Sequence, residues 1–233
     1  MAFDSQALVG SVERVRSRVA AAAARAGRRL DEVTLVAVSK TFPAAAIRTA
    51  WDAGLRHFGE NRVQEWEGKR GEIADLEATW HLIGHLQSNK ARRAAQIFSS
   101  VDSVDSADVA RRLDAALADA PQARRLRVLL EVRVAPEETK SGVEPENLEA
   151  LARAVLALPS LHLQGLMCIP PFAEDAEQTR PSFRRLRELR DGLSGKLGVA
   201  LPVLSMGMSH DFEVAIEEGA TEVRVGTALF GAR

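Results

Sequence analysis

Apolar segments of strand length recur eight times along this chain, and nearly every one is followed by a stretch of helical periodicity. That alternation constrains the fold more than any other feature. Strands separated by helices pair in parallel, with the helices as crossovers. The strands are read at 33–39, 56–58, 79–83, 97–101, 127–133, 161–166, 202–204 and 222–225. Helices are expected at 43–53, from Asn61 to 75, and at 88–96, 107–118, 145–157, 175–194 and 211–218. One more helix precedes the first strand at 4–27. There Leu8, Val12, Val15, Val19 and Ala23 form the apolar face, and Arg14, Arg16, Arg18 and Arg25 read as wet flanks. Eight β/α units in 233 residues match the count and size of a (β/α)8 TIM barrel, here with an extra N-terminal helix. No linker or repeat interrupts the pattern, so residues 1–233 are read as one domain. An open doubly wound sheet that bound a dinucleotide would carry a Gly-rich turn after its first strand. Here that strand ends Ser39-Lys40-Thr41.

Composition removes several function classes. Lys plus Arg number 31 and Asp plus Glu 32, so no basic surplus points to nucleic acid and no polybasic tail to a membrane. Apolar runs are far shorter than the ~20 residues of a membrane span. The start, Met1-Ala2-Phe3-Asp4-Ser5, is not a secretory signal. The single cysteine, Cys168, cannot form an intramolecular disulfide, and no Cys/His pair has zinc spacing. A cytoplasmic protein is expected, with no metal. Near-neutral charge and a closed barrel are compatible with a monomer.

In a β/α barrel the chemistry lies at the C-terminal ends of the strands. Those positions here include Lys40, Asn61, His81, Asp102-Ser103, Arg133, Ser205 to Ser209, Arg224, Gly226 and Thr227. Barrel phosphate sites are commonly built by the loops after strands seven and eight. Ser205-Met206-Gly207-Met208-Ser209 and Gly226-Thr227 supply small residues and hydroxyls there, with Asp211 opening a helix nearby. Ordinary turn chemistry would use the same residue types. Lys40 ends the first strand. In a dry barrel mouth a lysine amine is held neutral by desolvation and can form a Schiff base with an aldehyde. A lysine facing a phosphate site suits pyridoxal 5′-phosphate, which carries both partners. A phosphosugar aldolase also needs both, but its lysine is expected on a later strand beside a carboxylate and a second lysine.

Several segments carry a resemblance: Val36-Ala37-Val38-Ser39-Lys40-Thr41, Phe58-Gly59-Glu60-Asn61, the run from Trp80 to Lys90, Val101-Asp102-Ser103-Val104-Asp105, Thr139-Lys140-Ser141-Gly142, Leu204 to Ser209, and Val223 to Thr227. Together they resemble the pyridoxal phosphate homeostasis protein family, a single-domain relative of the N-terminal barrel of bacterial alanine racemase. The resemblance implies that the cofactor is held on Lys40 as an aldimine, that Ser205, Ser209, Gly226 and Thr227 hold its phosphate, and that Arg224 faces its ring nitrogen. It implies that Asn61 and His81 lie near the ring or line the mouth, and that Lys140 acts in cofactor transfer. The implied role is vitamin B6 homeostasis, with delivery to apo pyridoxal-phosphate enzymes rather than catalysis. Arg62, Arg133, Cys168 and His210 depart from the family pattern, and Arg133 would point a second cation into the mouth. The alternative is an amino acid racemase. In alanine racemase the second acid/base is a tyrosine from a C-terminal β-domain, and this chain has no tyrosine.

Overall fold

The computed structural model describes residues 4–119, 124–135 and 141–231. Among these, eight parallel strands close into a barrel in sequence order. They are β1 (Thr34–Val38), β2 (His57–Glu60), β3 (Thr79–Leu82), β4 (Ser100–Val104), β5 (Leu126–Glu131), β6 (Leu161–Met167), β7 (Val203–Ser205) and β8 (Glu222–Val225). The ring closes where Leu35 of β1 pairs with Val223 of β8. The helices are α1 (Ser5–Arg25), α2 (Ala44–Asp52), α3 (Val63–Ile73), α4 (Ala91–Ile97), α5 (Ala107–Ala118), α6 (Leu148–Leu156), α7 (Arg180–Leu197), α8 (Phe212–Glu217) and α9 (Thr227–Phe230). None is long and apolar enough to cross a membrane.

The main core lies between the strands and the helical layer. Ala37, Phe58, Leu82, Val101, Leu130 and Val225 point outward from the barrel into it, and Phe98, Leu113, Phe183 and Phe212 meet them fully buried. Each such side chain contributes roughly 1.5–3 kcal/mol relative to exposure. Helix α1 lies across α2, α8 and α9, over the β8–β1 closure. Its Arg18 is not simply a wet flank. The guanidinium donates two bonds to Glu213, at 2.9 and 2.8 Å, and lies 4.6 Å from the Phe212 ring centroid.

One expected strand is displaced by three residues. The apolar run at 97–101 reads as strand, yet Ile97 ends α4 and the strand begins at Ser100. Ala91, Ala94, Ala95 and Phe98 are all fully buried, which is helical spacing, so the first apolar residues of the run complete a helix face. A bulge lies between Val101 and Val104 in the pairing of β4 with β5. It lets both valines face the outer core although they are three residues apart, which strict alternation forbids. A last helix, α9, follows β8, where no helix is expected from the sequence.

Candidate functional site

The inward faces of the strands are unusually polar for a barrel of this kind, whose interior is ordinarily filled by branched apolar side chains. Asp102 and His81 are fully buried, with His81 Nδ1 2.9 Å from Asp102 Oδ2. His81 Nε2 lies 3.0 Å from His57 Nδ1, and the Ser100 hydroxyl donates to Asp102 Oδ1. Arg127 Nη2 donates to Glu222 Oε2 at 2.6 Å. Burial alone would raise the Asp102 carboxyl, but His81 and Arg127 hold it down at about 2. Burial works against the His81 imidazolium, and Asp102 more than offsets it, so this histidine is raised above its ordinary value. Burial, then His81 and Arg127, press His57 down to about 4. The two histidines therefore differ: Asp102 favours the charged form of His81, whereas burial favours the neutral form of His57. His81, Asp102 and Glu222 bring possible metal-ligand atoms within 4.8 Å of one another. Two carboxylates are there met by Arg127 and by His81, whose charged form Asp102 favours, so the cluster satisfies itself as an internal polar network.

Above this layer lies a cavity of about 500 Å3 at the C-terminal mouth. Val36 and Val38 are buried inside the barrel, and Lys40 continues their row two residues on. The strand ends in a turn, with Phe42 N–H donating to the Ser39 carbonyl at 3.1 Å. Thr41 within it has φ 67°, a left-handed conformation that costs a β-branched residue energy. That turn leaves Lys40 on the cavity wall. Phe42 stacks on Phe230 of α9 with centroids 4.9 Å apart, which ties the Lys40 turn to the loop across the β8–β1 closure.

Below Lys40 a second buried group fixes the strand end. The Ser39 hydroxyl donates to Glu60 Oε1 at 2.7 Å, and Lys69 of α3 donates to the same oxygen at 2.8 Å and to the Ser39 carbonyl at 2.9 Å. Burial raises the Glu60 carboxyl, with Lys69 opposing. Glu60 stands beside Asn61 at a strand end, where the sequence reading places the chemistry, whereas nothing in the sequence singles out Lys69.

On the strand next to that of Lys40, Arg224 is 3 % exposed and lines the same cavity. Its Nη1 donates to the Ser205 hydroxyl and its Nη2 to the Cys168 carbonyl, each at 2.8 Å. Ser205 is fully buried beneath the guanidinium and is not part of the cavity wall. Burial pushes the Cys168 thiol up to about 12, which leaves it unreactive. Ser209, Gly226 and Thr227 line the cavity. The Gly226 and Ala228 N–H groups converge on the Ser209 hydroxyl at 3.1 and 3.2 Å. The loop after β7 needs Gly207, where φ is 92° and a Cβ would lie 2.5 Å from the Ala215 Cβ. Asp211 makes no side-chain cap on α8; its carboxylate instead accepts from Met208 N–H at 2.7 Å and braces the loop after β7.

Six of the eight residues expected to bind cofactor thus share one cavity: Lys40, Asn61, Ser209, Arg224, Gly226 and Thr227. His81 does not. It points into the closed barrel interior and both its nitrogens are engaged there. Asp102 and Ser103, expected just past a strand end, lie within β4. Arg133 does not line this cavity either. It pairs with Glu144 beside a smaller cavity that Glu131 and Ser141 also line. Lys140 lies outside the described residues.

A sequence profile of the alanine racemase N-terminal domain matches residues 11–233. The chain is 53% identical to the pyridoxal phosphate homeostasis protein of Pseudomonas aeruginosa over 225 residues, covering 96% of this chain and 94% of that one. It is 49% identical to that of Aquifex aeolicus over 228 residues, covering 95% and 96%. The chain belongs to the pyridoxal phosphate homeostasis protein family. PipY of Synechococcus elongatus PCC7942, solved with PLP bound, superposes with a TM-score of 0.85 at 41% identity, over 96% of this chain and 100% of PipY. Alanine racemase from Corynebacterium glutamicum shares the fold, with a TM-score of 0.71 at 20% identity over 99% of this chain and 62% of that enzyme. Members of the homeostasis family therefore have the length of the barrel, and this racemase is longer.

Proposed function

We propose that this protein binds pyridoxal 5′-phosphate in the mouth cavity, joined to Lys40, and serves intracellular vitamin B6 homeostasis and cofactor delivery rather than catalytic turnover. The observation that carries this reading is that Lys40, Arg224 and the Ser209–Gly226–Thr227 loops, borne by the adjacent strands β7, β8 and β1, line one cavity. The donor set fits the group. The Ser209 and Thr227 hydroxyls suit a phosphate, with the Gly226 and Ala228 N–H groups fixing Ser209 in place, and the amine suits an aldehyde. About 500 Å3 lies within the ~300–1,000 Å3 usual for small-molecule sites. PipY, at 41% identity and with PLP bound, supports the assignment. When bound, the cofactor supplies an aldehyde for a Schiff base and an electron-withdrawing ring.

The residues set limits on that chemistry. Arg224 is a permanent cation and an obligate donor, so it would keep the ring nitrogen unprotonated and weaken the ring as an electron sink. Ser205 and the Cys168 carbonyl hold its guanidinium in place. A two-base racemase would also need an acid/base opposite Lys40, and the chain offers no tyrosine for it. The relatives are named for homeostasis and not for an enzymatic reaction.

The loaded protein is expected to absorb near about 420 nm through a lysine-linked Schiff base. Lys40→Ala is expected to abolish that band. Mixing the loaded protein with an apo pyridoxal-phosphate enzyme is expected to restore the enzyme's activity. No restoration would remove the delivery role, and sustained racemisation of an amino acid at an ordinary enzymatic rate would replace this reading with the racemase one.

A further inference from the structure

The run from Trp80 to Lys90 is longer than the mouth cavity uses. Gly84 and His85 line that cavity, whereas Gln87 and Lys90 do not. They line a second cavity of about 690 Å3, which shares Asn61, Gly84 and His85 with the first. The loop after β2 forms its other wall, through Arg62, Gln64 and Glu65. A Cβ on Gly84 would overlap the Asn61 carbonyl oxygen, so glycine is what lets the two loops meet between the cavities.

Of the nearby arginines, Arg93 pairs with Glu67 and Arg48 with Asp75, Arg70 lies over the Trp66 ring, and Arg92 has no ion pair among the described residues. Arg62 and Lys90 have no carboxylate partner among the described residues, yet both line the same concave space. His85 is held by Asp105 at 3.2 Å. Glu65 is the one carboxylate in the lining, and its Oε2 is buried without a hydrogen-bond partner. The cavity therefore combines two cations without a carboxylate partner, three side-chain amides (Asn61, Gln64 and Gln87) and a single carboxylate whose Oε2 is turned away from solvent.

We propose that this second cavity binds a phosphate monoester. Arg62 and Lys90 hold its charged oxygens, and the amides add donors. A monoester titrates near neutral pH, with a second pKa of about 6. Two cations close by favour its dianion, whose two charges they match, whereas a carboxylate brings only one. The volume lies within the ~300–1,000 Å3 of small-molecule sites. The inference is independent of what occupies the mouth cavity.

The test is calorimetric titration of phenyl phosphate into the full chain after pyridoxal phosphate has been reduced onto it with borohydride, which closes the mouth cavity. Failure of that labelling shows before any titrant is added, and it bears on the mouth cavity alone. The expected result is one saturable site. Arg62→Gln and Lys90→Gln should each weaken it about tenfold, the loss typical of a hydrogen bond to a charged group. Arg93→Gln, which removes the same charge from a paired arginine, should leave it unchanged, and benzoate should bind at least about tenfold more weakly than phenyl phosphate. All three variants alter exposed or half-buried side chains, and circular dichroism checks that they fold. No saturable heat, an unchanged affinity in both cavity variants, or equal binding of benzoate overturns the proposal.

Discussion

Lys40 reaches the mouth because it continues the inward row of Val36 and Val38, and the turn at Thr41 stops the strand there. That placement could be read from the sequence, since parity along a strand follows from residue spacing. What supports Lys40 could not. Glu60 and Lys69 meet Ser39 through a turn and a helix whose relative positions only the fold sets. Close approach at Gly84 makes a prediction at this scale. Gly84→Ala would drive a methyl group into the Asn61 carbonyl, so the β2 and β3 loops must separate. The expected cost is about 1–3 kcal/mol, read as a lower midpoint in urea denaturation. An unchanged midpoint would mean that the two loops do not depend on this contact. At the outer core, Leu113→Ala should cost about 2–5 kcal/mol in the same assay, because the leucine is fully buried.

At the scale of elements, the alternation of strands and helices was legible and the polar interior was not. Two causes combine. The run beginning Ile97-Phe98 fits either period over so short a span, so the strand was placed three residues early. Asp102 then looked like a loop residue beyond the strand, whereas it lies inside β4 against His81. A four-residue helix such as α9 is also too short to show a period; the small residues signal backbone donors in these loops, but not that the Gly226 and Ala228 N–H groups converge on Ser209. The buried chain predicts a pH dependence. His57 is held down at about 4, so its contribution is full above its ordinary value of 6.5 and is lost as pH falls through 4. Asp102, held at about 2, keeps its contribution until the pH is lower still. His81 has the opposite sign. Raised when folded, it stabilises fully below 6.5 and loses that contribution as pH rises through its raised value. Melting temperature should therefore fall between pH 6.5 and 4, and His57→Gln should flatten that part of the curve. A wild-type curve level across this window would contradict the assigned proton positions.

At the scale of the whole molecule, a closed barrel with a polar interior leaves one end for chemistry. Lys40, Arg224 and the Ser209 loop meet there although they are far apart in sequence. The barrel supplies one catalytic-type amine and a buried permanent cation, a pairing suited to holding a reactive aldehyde more than to turning over a substrate. The most direct measurement is borohydride reduction of the pyridoxal-phosphate-loaded protein, followed by proteolysis and mass spectrometry of the labelled peptide. The pyridoxyl group should be found on Lys40 at close to one per chain, and Lys40→Ala should lose it. A label on another lysine, or none on a correctly folded protein, would contradict the assignment.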